Sequence, residues 1–182
     1  FCRERDLLLL VDEVQTGVGR TGSLFAFQQY GILPDVCSFA KGIAGGLPMS
    51  GILANEKCRK VLTPGTHATT FGGNPVCAAA ALAVLDTLDT ATLNQVTDKG
   101  FYLREQIEAL GSPYVRDVRG MGLMVGVGIQ GITHAEAAAK LREAGLLCLT
   151  AGSDTLRLLP PLTITKAELD EGLAIMKKVL CD

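Results

Sequence analysis

The sequence lacks any surplus of basic residues. Lysine and arginine number 17 against 19 acidic residues, for a formal net charge of -2. Nucleic-acid binding draws on cationic side chains that neutralise phosphates, so this balance argues against that class of partner. Long hydrophobic runs are also lacking. The longest, Val76 to Leu85, is far too short to span a bilayer, and no membrane association is expected. No signal-peptide pattern leads the chain. Paired cysteines are missing too. Cys2, Cys37, Cys58, Cys77, Cys148 and Cys181 stand singly, none at C-x-x-C spacing, so no metal site is expected. Most lie in apolar runs, which suits small buried thiols in a reducing cytoplasm better than disulfides.

What is present reads as a soluble globular chain. It has 182 residues, 48% hydrophobic and 20% charged, enough for one domain or parts of two. The first residue is Phe1, and polar Arg3-Glu4-Arg5-Asp6 runs straight into leucines. This pattern suggests a chain cut from a longer parent.

The chain is organised around Lys41, in Cys37-Ser38-Phe39-Ala40-Lys41-Gly42-Ile43-Ala44-Gly45-Gly46-Leu47-Pro48. A short apolar strand delivers the lysine to a Gly-rich turn. Burial there would favour a neutral amine able to attack a carbonyl carbon. The glycines leave room for a flat ligand. The plain alternative is a strand-end lysine reaching for water.

Leu7 to Val14 reads as a buried strand covered on both faces. Asp12 and Glu13 stand at its C-terminal end, where open α/β sheets bind ligands; alternatively they open a turn facing water. Gly17-Val18-Gly19-Arg20-Thr21-Gly22 formally matches the G-x-G-x-x-G of dinucleotide-binding turns, which would make a nicotinamide-dependent oxidoreductase. Against it, residues 12–16 separate the strand from Gly17, and no acidic residue ends a second strand at the required spacing. Asp35 comes close but precedes a strand.

Further on, Ser23 to Tyr30 reads as a short helix, Val36 to Ala40 and Ser50 to Ala54 as strands, and Asn55 to Leu62 as a charged surface helix. Strand, helix, strand spacing predicts a parallel α/β sheet. Asn74-Pro75 opens an Ala-rich helix to Leu88, apolar enough to be buried. Thr69 and Thr70, just before it, make either a candidate anion site or a solvated capping loop; His67 beside them reads as a loop histidine.

The character changes near residue 90. Capping boxes at Thr92-Gln95, Thr133-Glu136 and Thr165-Glu168 introduce amphipathic helices near 93–110, 134–144 and 166–180. Strands are predicted at 114–118, 121–129, 146–150 and 155–159. Two domains are therefore expected, 1–89 and a small α+β module, 90–182. Arg157 sits on the last strand, either as an edge charge or as a bidentate partner for a substrate carboxylate.

Asp12, Gln15, Lys41 and Thr70 together suit pyridoxal 5′-phosphate. That cofactor needs a lysine for its aldehyde and an anion for its pyridine nitrogen. The segments Asp12 to Gly22, Ala40-Lys41-Gly42 and Gly45-Gly46-Leu47-Pro48 closely resemble class III pyridoxal-phosphate-dependent aminotransferases. Thr69-Thr70-Phe71-Gly72-Gly73-Asn74-Pro75 and Arg157-Leu158-Leu159-Pro160-Pro161-Leu162-Thr163 are similar to the acetylornithine and ornithine branch of that family.

The resemblance implies an α/β fold: the C-terminal part of the fold type I large domain plus a small C-terminal domain. It implies that Lys41 is the Schiff-base lysine and proton shuttle, that Asp12 pairs with the pyridine nitrogen, and that Gln15 contacts the ring hydroxyl. Thr70 would bind the phosphate of a neighbouring subunit's cofactor, which implies a cytoplasmic homodimer with shared sites. Thr69 and Arg157 would face substrate. N-acetylornithine, or possibly succinyl-diaminopimelate, would donate an amino group to 2-oxoglutarate in arginine biosynthesis. Ornithine or 4-aminobutyrate are the alternative donors. The family's N-terminal half has no counterpart in the sequence, so the chain alone is expected to be inactive, with an exposed sheet edge open to non-native pairing.

Overall fold

The computed structural model describes residues 1–181, which divide into a unit of Phe1–Leu93 and a unit beginning at Asn94. In the first unit, β1 (Leu10–Asp12), β2 (Val36–Phe39) and β3 (Gly51–Ala54) form one sheet in that order. β1 and β2 are parallel, with Leu10 opposite Val36 and Asp12 opposite Ser38. β3 runs antiparallel to β2, which corrects the wholly parallel sheet expected from spacing. The link between them is one short 3-10 helix, Lys41–Ala44, and a loop, not an α-helical crossover, so it returns the chain in the opposite sense. Phe39 lies directly over its partner Gly51, where a Cβ would collide with the ring.

Asp35 stitches the opposite end of the sheet. Its carboxylate accepts the Leu9 N–H at 2.8 Å and the Asn55 side-chain amide at 2.7 Å. These bonds, first Leu9 and then Asn55, hold its pKa below the usual value. Asp35 is therefore a structural residue, and Asn55, drawn into that bond, opens a series of turns in place of the expected helix over 55–62.

Helix α1 (Pro75–Thr87) starts as predicted. The Asn74 side chain accepts from the Val76 and Cys77 N–H groups, and proline fills the first helical position. Only one stripe of α1 is buried, through Cys77 and Ala81, while Val76 and Leu82 are exposed. The expectation of a buried helix is corrected, and so is that of a buried first strand. Leu7 and Leu8 are exposed, and Leu10 is 64% exposed, because the described residues of this unit place no layer over them.

The second unit is an antiparallel sheet of β4 (Val115–Met121), β5 (Met124–Ile129), β6 (Leu149–Ala151) and β7 (Thr155–Leu158), in the order β4-β5-β7-β6. Helices α2 (Thr90–Ala109), α3 (His134–Glu143) and α4 (Lys166–Leu180) supply its core partners. Leu103 and Ile107, Ala137 and Leu141, and Leu169, Leu173, Met176 and Leu180 pack with Val125, Val127, Ile129, Leu156 and Leu158. The boxes at Thr133 and Thr165 form as written. That at Thr92 does not. Asp89 accepts the Thr92 N–H at 2.7 Å, and α2 starts earlier than expected. Residues of β4 and of the start of β7 form a polar network: Arg116 pairs with Asp117 and Asp154, and Arg119 pairs with Asp117 and donates to the Thr155 hydroxyl.

Candidate active site

Asp12 ends β1 and Lys41 follows β2 by two residues, so parallel pairing delivers both to the same end of the sheet. Asp12 Oδ1 accepts the Val14 N–H at 2.9 Å and the Ser38 hydroxyl at 3.1 Å. Its pKa lies below the ordinary value, chiefly through the Val14 N–H, then through Ser38, with the Lys41 charge adding to them. Amine and carboxylate are thus near enough to feel each other. Both are exposed, which corrects the expectation of a buried ammonium at Lys41.

Lys41 has φ 47°, a left-handed backbone that costs a non-glycine residue of order 1–3 kcal/mol. The turn that holds it is anchored from below. Ile43 and Ala44 are buried, and with Val18 and Ala81 they form the core cluster of this unit. Val18 itself has φ 56° and stands against Gly42, 3.7 Å from where a Cβ would lie. The loop after Asp12 and the turn at Lys41 therefore support each other.

Glu13, expected either beside a ligand or facing water, is in neither place. Strand alternation turns it away from Asp12, and it is only 1% exposed. Its carboxylate accepts the Thr16 hydroxyl and the Phe27 N–H, the latter at 2.8 Å, and its carbonyl accepts the Gly17 N–H at 3.0 Å. It is therefore the organiser of the loop and not a water-facing turn residue. Its position beside Asp12 at a strand end was the available signal. Burial, reinforced by Glu13 and Asp12, pushes the Cys37 thiol up.

The Gly17–Gly22 loop does not make a dinucleotide site. Turns occupy residues 14–21, and the next element is only a short 3-10 helix, Ala26–Tyr30. The strand–turn–helix that aims backbone N–H groups at a pyrophosphate is not formed, so the nicotinamide reading is set aside. Gln15 lies half-buried in this loop.

A cavity of about 770 Å³ runs from Val14, Ser38 and Phe39 to His67, Thr69, Gly72 and Asn74. It brings Thr69 into the neighbourhood of the β1–β2 end. Thr70 is exposed in the same loop but does not line the cavity. Arg157 belongs to the second unit, half-buried on β7, where it pairs with Gly126 and Leu149 across the sheet.

A sequence model of the family described as "Aminotransferase class-III" matches residues 1–180. The chain belongs to the class-III aminotransferases. Acetylornithine aminotransferase of Bacillus subtilis is 43% identical over 182 residues, covering 99% of this chain and 47% of the relative. That of Mycobacterium tuberculosis is 49% identical over 177 residues, covering 97% and 44%. Among solved structures, acetylornithine aminotransferase from Elizabethkingia anophelis superposes with a TM-score of 0.90 at 35% identity, covering 98% of this chain and 49% of that one. The ornithine aminotransferase of Toxoplasma gondii gives 0.92 at 32% identity, covering 98% and 44%. The α/β architecture is that of these enzymes. The chain spans about half the length of the curated relatives it matches.

Class-III aminotransferases use pyridoxal 5′-phosphate, and the donor set here fits it. An amine and an oriented carboxylate share one end of the sheet, and no side chain at Gly42 crowds the lysine.

Proposed function

We infer that this chain carries the lysine-bearing part of a pyridoxal-phosphate-dependent aminotransferase, acting on N-acetylornithine as amino donor and 2-oxoglutarate as acceptor. The observation that carries the reading is the placement of Asp12 and Lys41 at one end of paired parallel strands. The acyl donor is favoured by curated relatives named acetylornithine aminotransferases at 43% and 49% identity. Ornithine is the second reading, supported by the structural neighbour of that name at 32% identity.

When bound, the cofactor supplies an electron sink for the carbon that loses a proton. Lys41 Nζ holds its aldehyde and then moves the proton at the substrate Cα. Its left-handed turn aims a long, mobile side chain from a fixed base. Asp12, already below the usual carboxyl range, stays anionic to accept the ring N–H. Gln15 contacts the ring hydroxyl, Thr69 faces substrate, and Arg157 takes a substrate carboxylate. Thr70 serves the phosphate of a partner subunit, in a cytoplasmic homodimer.

The test is an absorbance titration of the complete natural polypeptide with pyridoxal phosphate, followed by rates on each donor. Saturable binding that Lys41→Ala abolishes, with N-acetylornithine turned over faster than ornithine, is expected. Binding indifferent to Lys41 contradicts the reading, and faster turnover of ornithine moves it to the second donor.

A further inference from the structure

Ser38 lies in the segment that leads to Lys41 and has no role there in the sequence reading, yet it touches both consecutive acidic residues of the site. It lies opposite Asp12 in the β1–β2 pairing. Its hydroxyl donates to Asp12 Oδ1 at 3.1 Å, and its carbonyl accepts the Glu13 N–H at 2.9 Å. Glu13 is fixed in turn by the Phe27 N–H and the Thr16 hydroxyl. The Val14 N–H that also reaches Asp12 is backbone and would survive most substitutions. The second donor depends on a hydroxyl at position 38.

We propose that Ser38 is a positioning residue: its hydroxyl and carbonyl clamp the end of β1 to β2 and hold the Asp12 carboxylate in one orientation toward the cofactor's ring nitrogen. The last step rests on the reading of Asp12 given above; the clamp itself does not. An exposed carboxylate at a strand end samples several rotamers, and two donors on one oxygen select one. The titratable groups around Asp12 are Lys41 after β2, Cys37 on β2 and the adjacent Glu13. Of these, only Lys41 favours the Asp12 anion, and it does so less than the Ser38 hydroxyl.

The experiment is a ¹³C-carboxyl NMR titration of Asp12 in the 182-residue chain, for wild type, Ser38→Ala and Ser38→Thr. Ser38→Ala is expected to raise the Asp12 midpoint while leaving Asp35 unmoved, and Ser38→Thr to restore it. A residue that merely packed would shift neither. An unmoved Asp12 in Ser38→Ala, or no restoration in Ser38→Thr, overturns the clamp. If Ser38→Ala does not fold, Ser38→Cys, whose thiol is a weak donor, must move Asp12 in the same direction. In the complete natural polypeptide, Ser38→Ala is expected to weaken pyridoxal phosphate binding about threefold to tenfold, the loss of one hydrogen bond. If wild type binds none while the Asp12 shift is seen, the cofactor reading fails and the clamp stands.

Discussion

Glu13 and Gly100 show how much single positions constrain this chain. Glu13→Ala would remove a buried carboxylate and leave the half-buried Phe27 N–H without its acceptor. Loss of a buried partner costs about 1–3 kcal/mol, so urea unfolding of the first unit should shift by that amount. Gly100 lies in helix α2, where alanine ordinarily gains about 1 kcal/mol over glycine. Here a Cβ would drive into the Gly122 backbone carbonyl. Gly100→Ala should therefore destabilise, by roughly 1–3 kcal/mol, and a stabilised variant in urea melts would contradict the packing. The placement of Lys41 and Asp12 at one end of the sheet was legible in the sequence because each follows an apolar run. Ser38 and Glu13 were not, because their roles depend on which residues pair across β1 and β2, and register is not written in either strand alone.

At the scale of elements, caps decide the helix starts. Thr133 and Thr165 each accept from the backbone N–H three residues on, and Glu136 and Glu168 each reach back. Removing either threonine should cost about 1 kcal/mol, read as lost helicity on urea titration of Thr133→Ala and Thr165→Ala. At α2 the same measurement should give Asp89→Ala a similar cost and Thr92→Ala a smaller one, since that variant loses the Thr92 hydroxyl bond to Asp89 but keeps the backbone one. The pattern at Thr92-Gln95 was a true motif in the wrong place, because an aspartate three residues earlier captures the N–H. β3 was readable as a strand but not in its direction, which the turn before it sets.

At the scale of the whole molecule, the two units differ in how completely they bury their apolar residues. The second has a continuous core, whereas the first buries one small cluster and leaves Leu8, Leu10, Ile52 and Leu82 exposed. Hydrogen exchange should accordingly be slower in β5 and β7 than in β1 and β2. Sequence marks which residues are apolar, not whether a covering layer belongs to the same unit, and for that reason β1 and α1 read as buried.

Acid should act on the second unit through its carboxylates. Glu136 and Glu168 sit below the ordinary glutamate range, held by N–H groups of Thr133 and Thr165. Asp154 lies below the ordinary aspartate range through Arg116 and then Thr155. At Asp117 burial opposes, but Arg116 and Arg119 outweigh it. Depressed folded pKa values give stability that is complete above the unfolded values and lost as pH falls through the folded ones. The melting temperature of this unit should hold from pH 7 to about 5 and fall below about 4.

The assignment turns on whether the amine of Lys41 captures the cofactor aldehyde. Borohydride reduction of the complete natural polypeptide in the presence of pyridoxal phosphate, followed by peptide mapping, reads this directly. A single stable pyridoxyl label on the peptide containing Lys41 is predicted. A label spread over surface lysines, or missing from Lys41, would contradict the account.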